Sequence, residues 1–538
     1  MGQERRSHFV EKASLSSLVH QYSLEQCLKD QKNSNNETTI RGPIARKEKK
    51  QNMKKFGLYN NLAPGVACAA LVLAALPAGA PASQLGPLVE LSVPNAVGTC
   101  DNGFRVPGTM TPNDAAEPFI AVNPAHQNNI VAAWIQGPVQ NIIAAASFDG
   151  GSTWQQVPLP LTTCSGGPYL VAGDPWLSFT PSGDLYCIGL AGPSLSALYT
   201  VVCKSTDGGL HWSAPVILDT PDFAPDKTTI TADPTAPHLV YATWDRLTSK
   251  TSGELGFTRS TDDGNTWEPP RSILATPNGE LAQNTQILVL PDGTLVDIFN
   301  PQYQKSLHQP VTSESIQLMR SGDKGLTWSA PIVAVRTEPI LQPNSGITLT
   351  VDPDTGAFVR DTTDPEFAVD SRSGNLYVVW EDGRFSNFQY NDIAFSMSSD
   401  GGFTWSPPIR INQTPLNIPT LNRQAFYPVI TVSPNGTIGV TYYDFRFNTP
   451  ATGVPTDYWL VQCHPSPETP ATDPANWGNE LRLTKASFDL EGLPFVIDGL
   501  WFGDYLGLAP AGGGGFVSAF AAVDRGGITS IFSRRVGQ

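Results

Sequence analysis

Several common kinds of functional site leave no trace in this sequence. Its seven cysteines and seven histidines form no C-x-x-C pair and no zinc-type Cys/His spacing. It has neither a glycine-rich phosphate loop nor a G-x-S-x-G motif, and long helical periods are scarce. We therefore predict no metal and no cofactor, and the usual nucleotide-binding and serine-hydrolase sites are excluded.

The first 82 residues have the pattern of an export signal rather than of a folded domain. Residues 1–52 are polar and basic, and Met53-Lys54-Lys55 opens a segment with an apolar run at 66–76 and small residues at 78–82. This order is typical of a signal peptide, and the run is too short to span a bilayer comfortably. We predict a signal peptide at 53–82 and interpret 1–52 as an over-long translation start or a leader. The alternative is a cytoplasmic extension with a signal anchor.

The remaining chain carries few charges of positive sign. Residues 1–82 hold twelve of the 34 Lys and Arg residues and six of the 49 Asp and Glu residues, which leaves 22 basic and 43 acidic residues and a net charge of −21 for 83–538. Such a surface repels nucleic acid and anionic membranes. It is typical of a soluble protein that is secreted or periplasmic, and we expect a monomer.

What the sequence does contain is a motif that occurs five times. S-x-D-x-G-x-x-W stands at 147–154, 205–212, 260–267, 321–328 and 398–405. Apolar residues precede each copy, so each motif is predicted to be a tight turn between two strands, in which Asp accepts backbone N–H groups, Gly takes the positive-φ position and Trp buries its ring. Its key residues are Asp149, Asp207, Asp262, Asp323 and Asp400, and Trp154, Trp212, Trp267, Trp328 and Trp405.

These five motifs resemble the Asp-box (BNR) repeats of the sialidase-superfamily β-propellers. A repeat of this kind indicates an array of like units. The resemblance implies an architecture, an all-β propeller of four-stranded blades. It implies little about chemistry, because in that family the Asp-box turns lie on the face opposite the catalytic pocket.

A second pattern, two apolar strands joined by a Pro/Gly turn, precedes the motifs and predicts the blade count. It occurs seven times, at 118–134, 175–188, 228–244, 285–299, 366–380, 427–443 and 505–523. The last two pairs lack a clean Asp box, but 458–463 and 528–534 can serve as their third strands. Since the chain ends there, we expect residues 88–93 to supply the missing strand. The prediction is one domain, 83–538, with seven blades closed by an N-terminal strand, or six as the alternative.

In this arrangement the starts of the first strands and the ends of the second strands share the rim opposite the Asp boxes. First-strand starts carry Glu117, Asp174, Asp226-Lys227, Asn284, Asp364 with Glu366, Tyr427 and Asp504-Tyr505. Second-strand ends carry Arg246, Arg384, Arg446 and Arg525, each one or two residues after an Asp. The rim is therefore predicted to be a ring of carboxylates, arginines and tyrosines.

The resemblance to sialidases assigns roles to these residues. That family binds a sugar carboxylate with three arginines, and the candidates here are Arg246, Arg384, Arg446 and Arg525. That family uses a Tyr nucleophile activated by Glu, and the candidates for the nucleophile are Tyr427 and Tyr505. It also uses an acid/base group, and the candidates for that role are Glu117, Asp174 and Glu366. The alternative is structural: an Asp and an Arg two or three residues apart at a strand end commonly form a local ion pair that stabilises the blade.

Five cysteines follow the predicted signal peptide, and in an oxidising compartment some of them should pair. Cys187 and Cys203 fall on two predicted neighbouring strands and are the first choice for a disulfide. Cys100 with Cys164 is the second choice, and Cys463 is left over.

Two hypotheses for function remain. The first is a glycoside hydrolase of sialidase type, or one that acts on a related acidic or plain glycan, through two carboxyl groups or a Tyr/Glu pair with an arginine cluster. The second is a non-catalytic propeller that binds a glycan or glycoprotein through the same rim. Arginines that converge on one site favour the enzyme, and arginines that each pair with their own Asp favour the binding protein.

Overall fold

The computed structural model describes residues 84–98, 100, 108–137, 141–220, 224–249, 252–276, 280–303, 315–341, 349–360, 364–496 and 499–537. All of them belong to one compact unit. The predicted leader and signal peptide lie outside these ranges. Within the ranges every regular element longer than four residues is a strand, which confirms the predicted all-β class, and no helix there is long and apolar enough to cross a membrane.

Seven antiparallel sheets account for most of the strands, and in each sheet the strands pair in chain order. Sheet 1 consists of Ala115–Val122, Ile130–Gln136, Asn141–Ser147 and Gln155–Pro158, and sheet 2 of Val171–Phe179, Leu185–Ser194, Ala197–Ser205 and Val216–Asp219. Sheet 3 consists of Ala224–Ala232, Val240–Ser249, Ser252–Ser260 and Arg271–Ala275, and sheet 4 of Glu280–Val289, Leu295–Tyr303, Ser315–Ser321 and Ile332–Arg336.

The remaining sheets follow the same pattern with one addition and one exception. Sheet 5 consists of Glu366–Val369, Leu376–Asp382, Asp392–Ser398 and Ile409–Arg410. Sheet 6 consists of Ala425–Val432, Ile438–Asp444, Pro455–Cys463 and Trp477–Arg482, with Phe488–Asp489 added beside the third strand. Sheet 7 consists of Gly507–Ala511, Gly515–Val523 and Thr529–Gly537, and its fourth strand is Gln84–Glu90 from the other end of the chain.

The N-terminal strand pairs with the last strand of the chain. Gln84–Glu90 runs antiparallel to Thr529–Gly537, with Leu85 opposite Val536. The predicted donor, residues 88–93, overlaps this strand but lies four residues too far along the chain. The first strands of consecutive sheets contact one another, and the first strand of sheet 7 contacts that of sheet 1.

A small eighth sheet lies outside this pattern and joins two long connections. Its strands are Thr350–Val351, Phe358–Arg360, Gly499–Trp501 and Phe495–Val496, in that order, and the two central strands are parallel. The short 3₁₀ turns are Thr163–Ser165, Arg384–Ser386, Thr420–Arg423, Pro474–Asn476, Leu490–Gly492 and Gly512–Gly514. We call the eighth sheet the side sheet; it matters here because it carries Arg360.

The five S-x-D-x-G-x-x-W motifs form one kind of turn between the third and fourth strands of sheets 1 to 5. At 398–405, Asp400 Oδ1 accepts the N–H groups of Phe403 and Thr404 at 3.0 and 2.9 Å, and Oδ2 accepts the Thr404 hydroxyl at 2.6 Å. The Trp405 indole donates to the Gly402 carbonyl at 3.1 Å. Each turn therefore supplies the partners of its own backbone groups, as expected for a structural element.

Side chains from facing sheets fill the space between them. Trp134, Tyr186, Trp244 and Tyr377 are fully buried on second strands. A large aromatic group, which includes Phe426, packs where sheets 6, 7 and 1 meet. The alternation of apolar residues along each strand therefore produces a core that is shared between neighbouring sheets.

The structure corrects the first choice of disulfide. Cys100 and Cys164 are bonded, whereas Cys187 and Cys203 are buried free thiols. Cys187 and Cys203 do lie opposite each other on adjacent strands, as predicted. However, the Cβ atoms of such pairs are usually about 4.5–5.5 Å apart, at or beyond the separation of about 3.5–4.5 Å that a disulfide needs. Cys463 is also a buried free thiol.

Candidate active site

A β-bulge recurs in the first strand of five sheets and places one side chain of each at the centre of the molecule. The register with the second strand shifts by one residue in sheets 1, 2, 3, 4 and 6. The first inserted residue has positive φ in every case, between 48° and 60°; these residues are Glu117, Asp174, Lys227, Asn284 and Tyr427. Left-handed non-glycine residues are uncommon and cluster at functional sites, and a bulge re-aims the side chain that it carries.

Residues just before the first strands of sheets 5 and 7 contact these bulge residues. Lys227 Nζ lies 3.0 Å from Asp364 Oδ2 and 2.7 Å from Asp504 Oδ2, so one ammonium group links sheets 3, 5 and 7. Glu117 Oε1 accepts the N–H of Asp504 at 3.2 Å. Gly503 has φ of 111°, and a Cβ there would lie 2.2 Å from the Glu117 nitrogen, so only glycine permits this approach.

We call the acidic groups gathered here the central carboxyl cluster. It consists of Glu117, Asp174, Asp226, Asp245, Asp364, Glu366 and Asp504, whose charges act on one another or on Lys227. Predicted site residues Glu117, Asp174 and Glu366 all belong to it.

Asp504 is the member of the cluster that is held in its charged form. Burial alone would favour the neutral acid, but Lys227 and Arg360 together lower the pKa of Asp504 below its usual value. Arg360 Nη1 lies 3.4 Å from Asp504 Oδ1, and the Trp501 indole donates to the same oxygen at 2.8 Å. Asp504 is therefore an anion with three donors fixed around it.

Other members of the cluster hold their protons to much higher pH. Burial, followed by the charge of Asp226, raises the pKa of Asp174 to about 7. Burial, followed by the charge of Asp364, raises the pKa of Glu366 to about 8. Burial, followed by the charges of Asp174 and Asp504, raises the pKa of Glu117 well above its usual value. One site thus combines an ionised carboxylate with carboxylic acids that can donate a proton near pH 7.

A partly open cavity lies beside the cluster. Its charged lining residues are Asp364, Glu366 and Lys227, and its aromatic lining residues include Trp176 and Tyr505. The remaining lining residues are Thr228, Thr229, Asn284, Thr285, Gln286, Pro365 and Phe367. A concave site with apolar walls and a few convergent polar groups is the usual form of a small-ligand site.

The two tyrosines do not have the setting that a Tyr nucleophile requires. The Tyr427 hydroxyl lies 2.6 and 2.7 Å from the carbonyl oxygens of Arg360 and Gly503. The Tyr505 hydroxyl donates to the Pro175 carbonyl at 3.0 Å, and burial raises the pKa of Tyr505 well above its usual value. Both protons are thus engaged by backbone carbonyls, which cannot accept the proton during attack as a carboxylate base can.

The rim arginines do not converge on one site. Arg246 forms a bidentate pair with Asp219 at 2.7 and 3.0 Å, and Arg384 pairs with Asp382 at 2.8 Å from both Nε and Nη2. Each of the two carboxylates also accepts a Trp indole N–H, from Trp244 and Trp380 respectively.

Arg446 repeats this arrangement in sheet 6. It binds Asp444 at 2.7 Å and Glu480 at 2.6 Å, and its guanidinium stacks on Trp459 with 3.7 Å between the guanidinium carbon and the ring centroid. Arg525 is exposed in the turn after the second strand of sheet 7. Three of the four candidates for the sialidase-type arginine clamp are therefore bound to carboxylates, which favours the structural alternative for them.

Sequence reasoning placed Lys227 and Asp504 at first-strand starts without giving them roles, and it missed Arg360 altogether. One signal was available for the cluster. An X-Pro dipeptide marks the first strands of four sheets, at Glu117-Pro118, Asp174-Pro175, Asp364-Pro365 and Tyr427-Pro428. Arg360 belongs to the side sheet, whose strands of two or three residues have no recognisable periodicity.

Comparison with known proteins gives structural neighbours only. No family model matches the sequence, and no curated protein is significantly similar to it. A protein of unknown function from Dyadobacter fermentans DSM 18053 has 13% identity and a TM-score of 0.43, over 85% of this chain and 100% of that one.

Two glycoside-cleaving enzymes are similar at the same level. Hadza microbial sialidase Hz136 has 15% identity and a TM-score of 0.41, over 77% of this chain and 74% of its own. The α-L-arabinanase of Penicillium chrysogenum, solved with arabinobiose, has 12% identity and a TM-score of 0.40, over 80% of this chain and 97% of its own. Similarity this distant does not decide what the site does.

Proposed function

We propose that this protein is a glycoside hydrolase that uses carboxyl groups of the central cluster in place of a Tyr nucleophile and an arginine clamp. The observation that carries the proposal is the opposite ionisation of carboxyl groups within the central carboxyl cluster. Glu366 has a pKa of about 8 and lines the cavity, while Lys227 and Arg360 hold Asp504 in its charged form. Such a division is the pattern of glycoside hydrolysis, in which one carboxylic acid donates a proton and a carboxylate faces the developing positive charge.

Roles follow from these positions. Glu366 donates a proton to the leaving-group oxygen, since a donor works best with a pKa near the operating pH. Asp504 supplies fixed negative charge for an oxocarbenium-like transition state. Lys227 keeps Asp364 and Asp504 in place, and Trp176 and Tyr505 offer ring faces against which a sugar can pack.

We further propose that the seven sheets are the blades of a seven-bladed propeller closed by Gln84–Glu90, and that the protein is exported. The cyclic contacts of the first strands and the pairing with Thr529–Gly537 support the architecture. Acidic composition and the Cys100–Cys164 disulfide support an oxidising compartment outside the cytoplasm.

The test is a hydrolysis assay of residues 83–538 on a panel of aryl glycosides with neutral, amino and acidic sugars. We expect turnover of at least one, and a loss of about 100- to 10,000-fold in Glu366→Gln. Glu90→Gln, at an exposed position of the N-terminal strand, is the matched control and should keep full activity. Turnover that is unchanged in Glu366→Gln would refute the assignment of the acid.

A non-catalytic glycan-binding protein is the second candidate, and the local pairing of Arg384 with Asp382 and of Arg446 with Asp444 favours it. It predicts no turnover on the whole panel. It also predicts that the wild-type protein binds at least one glycan of the panel without hydrolysing it, which calorimetry measures.

A further inference from the structure

The central site has many more acidic groups than basic ones. In the described part of the chain, the central carboxyl cluster holds seven carboxyl groups, and the cations beside it are Lys227 and Arg360. Sialic acids and other acidic sugars carry a carboxylate of their own. A site of this composition repels such a ligand and attracts a cation.

The two resident cations are already bound to carboxylates. Lys227 Nζ lies within 3.0 Å of both Asp364 and Asp504. Arg360 pairs with Asp504, and its guanidinium stacks over Trp501 at 5.2 Å from the ring centroid. Both cations are therefore partly neutralised by carboxylates of the cluster.

Some oxygens of the cluster are buried and still require a donor. Glu117 Oε2 and Asp245 Oδ1 have no hydrogen-bond partner, and their residues are only 3% and 0% exposed. The other oxygen of Glu117 accepts the Asp504 N–H, which fixes this carboxyl group within the cluster. Buried acceptors without a partner are costly, and burial raises the pKa of both Glu117 and Asp245 well above the usual value, so these groups favour the protonated form.

Aromatic rings line the cavity together with Asp364 and Glu366 of the cluster. Trp176 and Tyr505 meet edge to face with their ring centroids 5.6 Å apart, and Trp176 stacks on Phe119 at 3.9 Å. Rings held rigidly in this way present faces that attract an ammonium group. Carboxyl groups and aromatic faces around one cavity are the combination that recognises a primary amine.

We propose that the site binds a sugar with a free ammonium group, an amino sugar, in preference to N-acylated, neutral or acidic sugars. This inference rests on the proposed glycoside hydrolase and names its substrate class. The ammonium group supplies three N–H donors to carboxyl oxygens of the cluster. As it enters, it favours the charged form of acids that were neutral, so binding releases protons to solvent.

The groups that couple amine binding to proton release come from several sheets. Asp364, two residues before Glu366, raises the pKa of Glu366, and Lys227 of sheet 3 lowers it. The charge of Glu366 in turn raises the pKa of Tyr458 of sheet 6. Glu117 is influenced by Asp174, Asp504 and Lys227. Because an added cation opposes the effect of the acids and adds to that of Lys227, it lowers the pKa values of Glu366 and Glu117.

The experiment compares glucosamine, galactosamine and mannosamine with their N-acetylated forms, the parent hexoses and N-acetylneuraminic acid. Binding is measured by thermal shift and calorimetry, and proton release by a pH indicator in weakly buffered solution at pH 7. We expect at least one amino sugar to bind ten-fold or more tightly than its N-acetylated form, with release of protons. Binding of no amino sugar, equal binding of an N-acetylated form, or tighter binding of the acidic sugar would overturn the inference.

Variants locate the binding and separate it from catalysis. Glu366→Gln and Glu117→Gln should each reduce the preference for the amine and the proton release, whereas Asp400→Asn, in an outer turn, should change neither. Selective amine binding without hydrolysis of any glycoside would leave this inference standing and refute the hydrolase. Hydrolysis restricted to neutral or acidic glycosides would keep the hydrolase and refute this inference.

Discussion

Two sets of acidic residues recur around this molecule, and they behave in opposite ways. The outer set lies in the five S-x-D-x-G-x-x-W turns, where hydrogen bonds from the turn lower the pKa of Asp149, Asp323 and Asp400 to about 2. The inner set lies in the central carboxyl cluster, where burial raises the pKa of Asp174 to about 7. Repetition of a residue type therefore does not indicate a common role; what surrounds each carboxyl group decides it.

The difference has a structural origin. An outer Asp accepts several donors from its own turn, so it is satisfied in its charged form without any ligand. An inner acid shares its space with other acids, and the cations near it are few. The outer set thus stabilises single turns, while the inner set retains the capacity to exchange protons with whatever enters the cavity.

The largest effect that separates the two sets should appear in catalysis. Asp504→Asn removes the ionised carboxylate that Lys227 and Arg360 hold in place, so we expect kcat to fall about 100- to 1,000-fold. Asp400→Asn, the same change in an outer turn, should leave kcat unchanged. Both are measured with whichever glycoside the wild-type protein hydrolyses, and an equal loss in the two variants would contradict the division.

A second large effect concerns the scaffold arginines. The Arg446 side chain is 8% exposed and bridges Asp444 and Glu480, so Arg446→Met leaves two carboxylates without their cation. Removal of one partner from a buried ion pair costs about 3–5 kcal/mol of unfolding free energy. Denaturant unfolding should show this loss, and a smaller one for Arg384→Met, whose side chain is 22% exposed. If Arg446→Met were as stable as the wild type, Arg446 would again be a candidate for ligand binding.

The third effect is the dependence of stability on pH. Asp174 and Glu366 have folded-state pKa values of about 7 and about 8, above their unfolded values of 3.8 and 4.5. Their contribution to stability is complete below those unfolded values and is lost as pH rises through 7 and 8. The outer aspartates act in the opposite sense, since their contribution is lost as pH falls from about 4 through 2.

We therefore expect the Tm to be highest near pH 4 and to decline between about pH 4.5 and 8. Differential scanning calorimetry across pH 3–9 provides the measurement. In Asp174→Asn the decline between pH 4 and 7 should be shallower, while in Asp400→Asn only the loss of stability below pH 4 should change. A Tm that rises steadily up to pH 8.5 would show that the inner acids are ionised in the folded protein without cost.

The parts of the fold that depend on local chemistry were accessible from the sequence. In each outer motif the donors that the Asp accepts lie within eight residues, so Asp400 and Trp405 were assigned from their spacing alone. The seven hairpin pairs were likewise visible, because apolar alternation and Pro/Gly turns are local signals.

The site depends on contacts between distant parts of the chain. Lys227 meets Asp504 across 277 residues, and Glu117 meets it across 387. No local pattern specifies such a meeting, nor does any pattern show that Arg446 is already bound by Glu480. The rim residues could therefore be named from the sequence, but which of them act together could not.

The smallest expected effect is a difference in unfolding free energy between two turns of the outer set. The Trp405 indole donates to the Gly402 carbonyl at 3.1 Å, whereas the Trp328 indole nitrogen is buried and has no acceptor in its turn, where Lys324 replaces the first glycine. Trp405→Phe loses a hydrogen bond as well as ring area, but Trp328→Phe loses ring area alone and removes an unsatisfied donor. Since a net hydrogen bond is worth about 1 kcal/mol, Trp405→Phe should be less stable than Trp328→Phe by about that amount in denaturant unfolding. Equal losses would mean that the indole bond adds nothing and that the outer turns are held by their aspartates.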